Sequence, residues 1–444
     1  MKSSEYVNQE RREYSLYVLE QRAIPHASDG LRSASRRVLW TAKNGDKIKS
    51  ATLAGATIPI HPHAAPEGSV NTLASPFTNN IPLLNGIGSF GTILKPTAYG
   101  ASRYTSVKVS KFCKDVVFRD IEIIPMQDNY DGTLREPKHF LPLIPVALLN
   151  PQSGTAVGFA STILPRALPD IIKNQLAILE GKAFTEEPPA LEPIDQRSIG
   201  WVDTPKGWKA TFCGAFERTG ATELKITNLP YGTLHERYRV KLDKWEDEGI
   251  IQSYKDRSKD KYNIDVKFKR GVLNKLDDQG ILEMLDLVKN ISENLVVINF
   301  DGTTVWPTTY EEFIIKFTEW RAGWYKNRYQ RLADLQDIDN QKCRDILLAI
   351  KKNVGKTARD VASRAELKEL LKALGIVHVD YISDLPVYRF TQEEKTKTEA
   401  RLKDGERLLA EYKDLLRNPS KRRMIYLNEL KEVLANYKRG TYGN

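Results

Sequence analysis

Phe313, Phe317, Trp320 and Trp324 recur at spacings of four, three and four, with Glu311, Glu312, Lys316, Arg321, Lys326 and Arg328 at intervening and flanking positions. That period puts the aromatic rings on one stripe of a long amphipathic helix and the charges on the rest of its surface. A second helical pattern begins near Thr391 and carries Leu402, Leu409, Leu416 and Leu427 to Leu434 among alternating Lys, Arg and Glu, with a break at Asn418-Pro419. Two such helices, separated by the segment from Ile346 to Pro386, can pair antiparallel as a coiled-coil arm with that segment as its tip. An ordinary helical bundle fits the same pattern. Residues 306–444 are therefore expected to be helical.

The rest of the chain reads differently. A length of 444 residues exceeds one ordinary domain and predicts two or three. Residues 1–135 mix short helical patterns with Gly/Pro turns. A helical period through Tyr14, Tyr17, Val18 and Gln21-Arg22 stops at Pro25, Ser28-Asp29-Gly30 supplies a turn, and a helix restarts from Arg32 to Trp40. Its exposed side is expected to hold Arg32, Arg36 and Arg37, either facing phosphates or as a solvated face. Residues 136–305 are richer in strands: Leu224 to Pro230 and Tyr262 to Phe268 alternate apolar and polar residues, Glu236 to Gly249 reads as a helix, and Lys255 to Lys261 as a charged hairpin or loop. Pro188 to Pro193 reads as a connection. The fold class expected is α+β, multidomain.

The formal net charge of +10 favours a polyanionic partner. Its placement is uneven. Between Ala51 and Lys114 the only carboxylate is Glu67, while Lys95, Arg103, Lys108, Lys111 and Lys114 crowd one stretch. Cys113, Cys213 and Cys343 have no disulfide or zinc spacing. The start of the chain lacks the apolar core of a leader, and the most apolar segment, Phe140 to Leu149, is short and broken by Pro142 and Pro145. These features predict a soluble, cytoplasmic-type protein with no membrane span.

Inside the basic stretch lies Gly100-Ala101-Ser102-Arg103-Tyr104-Thr105. A phenol beside a fixed cation is what attack on a phosphodiester requires, because a guanidinium favours phenoxide and offsets the charge of a pentavalent phosphorus. With a pKa near 10, only about one phenol in a thousand is ionised at neutral pH, and closing that gap takes roughly 4 kcal/mol. One exposed cation supplies less, so further cations, a base or a metal must share the site. By itself, a tyrosine at a core boundary beside a surface arginine is the commoner account of such a pair. His61-Pro62-His63 could contact phosphate, hold a metal or be structural, and no acidic or cysteine cluster accompanies it. Gly86, Gly88 and Gly91 lack the Lys-Ser/Thr of a P-loop, which leaves tight turns and close backbone approach.

Taken in order, Tyr14 to Pro25, Asp29-Gly30-Leu31-Arg32 with Arg36-Arg37, His61-Pro62-His63, Pro82 to Gly91 and Arg103-Tyr104-Thr105 resemble the DNA breakage-reunion subunit of type IIA topoisomerases, the gyrase A and topoisomerase IV A family. Leu141 to Pro145 with Asn150 and Ser153 to Gly158, then Asn228 to Tyr231 and Leu385 to Thr391, are similar to later motifs of that family. The resemblance implies a winged-helix DNA-cleavage domain over residues 1–135, an α/β tower domain over 136–305, and a long antiparallel coiled-coil arm with a helical dimerisation tip over 306–444. It implies that Tyr104 forms a transient 5′-phosphotyrosyl bond. Arg103, Arg22 and His63 would assist at the phosphate, and Arg32, Arg36, Arg37, His61 and Thr155 would face DNA. Mg2+ would sit in the TOPRIM domain of an ATPase partner that also binds ATP, with no metal or nucleotide on this chain. The expected partners are double-stranded DNA, a second copy of the chain and the ATPase/TOPRIM subunit. A catalytically silent DNA-binding scaffold of the same shape is the alternative. The compact length is similar to the medium subunit of T-even-type bacteriophage topoisomerases, which implies relaxation and decatenation in a host cytoplasm.

Four features depart from the family pattern. Ala64-Ala65-Pro66-Glu67-Gly68 replaces the usual continuation after the second histidine, Thr155 stands where many relatives carry an isoleucine that wedges between base pairs, Arg32 replaces a usual lysine and keeps the charge, and Ser106 replaces a common acidic residue.

Overall fold

The structure is a computed structural model that describes residues 14, 17–62, 66–156, 158–204, 207–358 and 360–443. Of the expected site residues, His63 lies outside the described residues. The chain divides into two compact units, Met1–Arg321 with Leu427–Asn444, and Ala322–Tyr426.

In the first unit, Asp29 sets the start of helix α1 (Ser33–Thr41): its Oδ1 accepts from the amide of Leu31 at 3.1 Å, and its Oδ2 from the amide of Phe140 at 3.0 Å. Strand β1 (Ile48–Lys49), helices α2 (Ser50–Ala56) and α3 (Glu67–Ala74), and strands β2 (Leu84–Ile87) and β3 (Ser106–Val109) follow. The three strands form an antiparallel sheet in the order β1-β3-β2, with Ile48 opposite Val107 and Leu84 opposite Val109. Val107 and Val109 are buried while Lys108 is exposed, so the pleat itself turns one basic side chain to solvent.

A hairpin of β4 (Gln152–Ala156) and β5 (Phe159–Ile163) packs Ala156 against Leu19 and Ala23 of the π-helical turn Leu19–Ala23. The fully buried Arg166, just after β5, pairs with Glu293, its Nη1 2.6 Å from Glu293 Oε1. Beyond it come β6 (Gly200–Thr204), β7 (Gly207–Cys213), β8 (Ala215–Arg218), β9 (Glu223–Asn228), helix α4 (His235–Asp247), β10 (Ser253–Asp256), β11 (Ile264–Lys267) and β12 (Val288–Ser292). They make a three-stranded sheet, β6-β7-β12, and a four-stranded one, β8-β9-β11-β10. Leu224, Ile226, Ile264 and Val266 are the buried alternate positions of β9 and β11, and they close on Tyr238 and Leu242 of α4. Both alternating segments and the intervening helix thus form as their periodicity predicts. Lys255 and Asp256 extend the sheet as part of β10, and the loop begins only after them. In the proline-rich connection, Ala190 and Leu191 pair with Arg197 and Gln196 and are buried.

Helix α5 (Tyr310–Lys351) has 42 residues, or about 63 Å at 1.5 Å per residue. Phe313 and Phe317 are fully buried, and Trp320 stacks on Phe300 with centroids 5.0 Å apart. Arg321 corrects the expectation of a charged outer face. It is fully buried, donates Nε–H to the Pro142 carbonyl at 3.0 Å, and pairs with Asp120. Buried guanidinium needs such partners, and both lie more than 170 residues away in sequence.

In the second unit, α5 runs antiparallel to α6 (Gln392–Arg417): Tyr329 meets Tyr412 at 6.0 Å between centroids, Arg401 pairs with Asp339, and Arg344 pairs with Glu406 at 2.8 Å. Thr391 caps α6 by accepting from the amide of Glu394 at 3.4 Å. Between the two helices in sequence, Ile346, Ala349, Val354, Leu371, Ile376 and Ile382 close a separate apolar core. The chain breaks at Asn418 as expected and continues as α7 (Pro419–Lys438). Within the first unit, the end of α7 is tied down where Tyr437 donates to Glu192 at 2.7 Å. Among the described residues no helix is long and apolar enough to cross a membrane.

Candidate active site

The Arg103-Tyr104 pair sits on a turn that is fastened at its foot and open at its crown. After β2, Phe90 and Tyr99 form an antiparallel bridge, and Gly100 N–H donates to the Ser89 carbonyl at 2.9 Å. The chain then turns tightly, with Tyr104 N–H donating to Ala101 O at 2.9 Å, and enters β3. Four further bonds hold this turn to the preceding helices. Ser50 N–H reaches Thr105 O at 3.1 Å, Ala51 N–H reaches Ser102 O at 3.2 Å, Thr105 Oγ1 donates to Ser50 Oγ at 2.8 Å, and Ser102 Oγ donates to Glu67 Oε1 at 2.8 Å. The glycines of the run serve this geometry: Gly91 has φ +94°, and a Cβ there would lie 2.3 Å from the Pro96 carbonyl oxygen.

Tyr104 itself is 72% exposed. The Arg103 guanidinium carbon lies 4.9 Å from its ring centroid, and Lys49 Nζ donates to its carbonyl at 3.2 Å. Among the described residues its hydroxyl has no hydrogen-bond partner, and the side chain stands largely in solvent. Arg103 covers the ring face in a cation–π contact. Lys108 is exposed nearby in β3, whereas Lys95 pairs with Glu236 at 2.6 Å and Lys111 with Asp115 at 2.8 Å. The positive field expected from the sequence is thus partly neutralised. Glu67, a carboxylate beside the turn, is engaged by Ser102 at the N-terminus of α3. No group of three or more His, Cys, Asp or Glu side chains with metal-binding geometry occurs among the described residues.

A second basic group lines a cleft of about 510 Å3 on the other part of α3, where Arg22, Arg32, Ser35, Ser69, Thr72 and Gln152 converge. Arg32 donates to the Ser153 carbonyl of β4. Burial lowers its pKa, which still leaves a permanent cation. Arg22 lies 5.8 Å from the Tyr17 ring centroid, and Tyr17 Oη is 3.1 Å from His61 Nε2. His61 in turn meets the ring of Tyr130 at 5.9 Å between centroids. Helix α3 therefore touches both groups, with Glu67 at the turn and Ser69 and Thr72 at the cleft. Thr155 is exposed on β4 opposite Ala160.

Arg36 and Arg37 do not occupy an exposed face, which corrects their expected position. Arg36 donates Nε–H and Nη2–H to Asp29 at 2.7 and 3.0 Å in a buried bidentate pair, and Arg37 makes the equivalent pair with Glu136 at 2.6 and 3.0 Å. Four-residue spacing does align Arg36 with Arg32, but a buried carboxylate outcompetes solvent for the first guanidinium. Tyr17, Lys49, Glu67 and Tyr130 join the site without having been singled out for it. Glu67 stood out only as an isolated carboxylate, and Tyr17 only as a helical repeat position.

A family model for the A subunit of DNA gyrase and topoisomerase IV matches residues 22–431. The chain is 29% identical over 413 residues to the DNA topoisomerase medium subunit of Enterobacteria phage T4, covering 88% of this chain and 90% of that protein. It is 26% identical over 465 residues to the DNA gyrase A subunit of Synechocystis, covering 95% of this chain but 53% of the gyrase protein, so it spans about half the length of that relative. In fold it is similar to the DNA-binding, cleavage and re-ligation domain of Plasmodium falciparum topoisomerase II, with a TM-score of 0.84 at 21% identity over 98% of this chain and 65% of that one.

Proposed function

The chain belongs to the A-subunit family of DNA gyrase and topoisomerase IV, and from that premise we propose that it cleaves and reseals duplex DNA as the breakage-reunion component of an ATP-dependent type IIA topoisomerase. Tyr104 Oη attacks the scissile phosphorus as its proton leaves, a P–O bond to tyrosine forms, and the P–O3′ bond breaks with the 3′-oxygen taking up a proton. The 5′ end stays esterified to Tyr104, so the bond is conserved and the reverse attack reseals it. The observation that carries this reading is the outward Tyr104 hydroxyl on a turn held at four points, with the permanent cation of Arg103 against its ring. Arg103 swings from the ring face to the phosphate as negative charge arrives there. Arg22 and His63 assist, while Arg32, His61 and Thr155 meet the duplex beside the cleft. Arg36 and Arg37 act through the fold, holding α1 in place.

Two copies of the chain together cut both strands for passage of a second duplex, giving relaxation and decatenation. Mg2+ and ATP belong to an ATPase/TOPRIM partner, and the phage relative supports a host-cytoplasm setting. Helices α1 to α3 together with the three-stranded sheet β1-β3-β2 support reading residues 1–135 as a winged-helix domain. The two sheets with α4 support a tower over 136–305. The antiparallel α5 and α6 support a coiled-coil arm with a dimerising tip over 306–444.

The test combines the chain, the ATPase/TOPRIM partner, Mg2+ and supercoiled DNA, and traps adducts with denaturant. The parent is expected to carry DNA through its 5′ ends, and Tyr104→Phe none. Adducts formed equally by Tyr104→Phe overturn the nucleophile. DNA binding with a steep salt dependence but no adduct from the parent identifies a silent scaffold instead.

A further inference from the structure

The segment between the glycine run and the reactive turn reaches across to the domain of β8 to β11, and two side chains of that domain hold its tip. Thr92 and Lys95 exchange backbone hydrogen bonds at 3.1 Å in each direction, which closes the segment into a small loop. Its base is the Phe90–Tyr99 bridge, one residue before Gly100. At the tip, Tyr262 Oη donates to the Ile93 carbonyl at 3.3 Å, and Glu236 of α4 pairs with Lys95 Nζ at 2.6 Å. Tyr262 is partly buried beside His235, with ring centroids 5.9 Å apart, and burial raises its pKa, so the phenol is kept as a proton donor. Asp256 lies beside His235, with Nε2 and Oδ2 3.0 Å apart.

The loop is therefore gripped at both ends. Its base is continuous with the turn that carries Arg103 and Tyr104, and its tip is tied to α4 and to the residue two before β11 through an ionic and a neutral contact. The backbone between is short and constrained, with Gly91 at positive φ against Pro96. A displacement at Ile93 or Lys95 has few soft torsions in which to dissipate before it reaches Gly100.

Resting on the breakage-reunion reading, we propose that Tyr262 and Glu236 are positioning residues for the nucleophile, holding the 91–97 loop so that the Tyr104 hydroxyl meets the scissile phosphate in register. Neither touches the reacting atoms. Their contribution falls on the rate of strand cleavage and not on DNA affinity, since a misplacement near 1 Å costs rate while leaving the basic contacts to the duplex intact.

The test uses the full chain with its ATPase/TOPRIM partner and compares Tyr262→Phe, Glu236→Gln and the swapped pair Lys95→Glu with Glu236→Lys. Each single variant is expected to slow adduct formation three- to fivefold, with DNA affinity and melting temperature unchanged. The swapped pair is expected to return the rate to within about twofold of the parent. Hydrogen exchange of peptides covering residues 88–104 is expected to quicken in both single variants. Unchanged cleavage rates and unchanged exchange overturn the proposal, as does a loss of rate matched by an equal loss of affinity. A parent that forms no adduct overturns the breakage-reunion reading instead, and the exchange measurement then still decides whether these two side chains hold the loop.

Discussion

Ser102 donates its hydroxyl to Glu67 at 2.8 Å and so joins the turn carrying Arg103 and Tyr104 to the first turn of α3. The same helix lines the cleft that holds Arg22 and Arg32. Glu67 accordingly relates the two basic groups without being a cation itself. Glu67→Ala removes a hydrogen bond worth about 0.5–1.5 kcal/mol and a favourable charge at a helix N-terminus. Melting temperature is expected to fall by only a few degrees, whereas adduct formation falls severalfold. Glu67→Gln keeps the acceptor and is expected to cleave near the parent rate. Calorimetry and denaturant-trapped adducts read the two effects separately, and equal cleavage by the alanine and glutamine variants would contradict the link.

Tyr104 is 72% exposed, so Tyr104→Phe is expected to change stability by no more than about 0.5 kcal/mol while removing the adduct altogether. Arg103→Ala, which strips the charge beside the proposed nucleophile, is expected to slow cleavage on the order of 10²-fold. Denaturing gels of end-labelled DNA check both, and a folded Tyr104→Phe that still forms the adduct counts against the assignment.

What the sequence made legible, and what it did not, divides along one physical line. Periodic segments were readable because the repeat itself marks which side chains turn inward, wherever their partners lie: β9 and β11, α4, and the stripe of Phe313 and Phe317 all follow from spacing. The Arg103-Tyr104 turn was readable from local composition. Arg36, Arg37 and Arg321 were placed on exposed faces, the first two toward DNA, because nothing within a few residues of Arg37 or Arg321 announces Glu136 or Asp120, and because Asp29 precedes Arg36 in what reads as an open turn. A guanidinium is equally at home on a surface or in a bidentate buried pair, and only the tertiary contact decides. The Tyr17–His61 contact was invisible for the same reason, since 44 residues separate its members.

Arg32 and Arg36 lie one helical turn apart and are expected to behave oppositely. Arg36→Ala leaves Asp29 buried without its counter-ion, a loss of about 3–5 kcal/mol that lowers the melting temperature sharply. Arg32→Ala is expected to cost far less stability but to weaken DNA binding and lower the slope of log affinity against log salt by about one. Thermal unfolding and salt-titrated binding assays separate them. A reduced salt slope in a well-folded Arg36 variant would place that side chain on the DNA after all.

His26 gives the fold a predictable response to acid. Its ring stacks on His139 at 5.4 Å between centroids, its Nδ1 accepts from the amide of Ser28 at 3.2 Å, and His139 Nδ1 donates to the Phe140 carbonyl at 3.0 Å. Burial, then the nearby charge of Arg36, pushes the His26 pKa down to about 3, against smaller upward pulls from Asp29 and Asp301. His139 is lowered by burial as well, with Asp29 and its own bond to Phe140 opposing and Arg36 and Lys138 assisting. A histidine neutral in the fold but free to protonate near pH 6.5 when unfolded makes the unfolded state bind more protons. Stability is therefore full above that pH and falls as pH drops from about 6.5 toward 3. The buried Asp29 carboxylate, held below its ordinary range because the charge and hydrogen bonds of Arg36 outweigh burial, adds a further loss only below about pH 4. Denaturant unfolding between pH 7.5 and 4 is expected to show this decline, and His26→Gln to make its histidine component smaller. An unaltered slope in the variant would mean that His26 protonates freely in the fold, which its bond from Ser28 and its stacking on His139 beside Arg36 oppose.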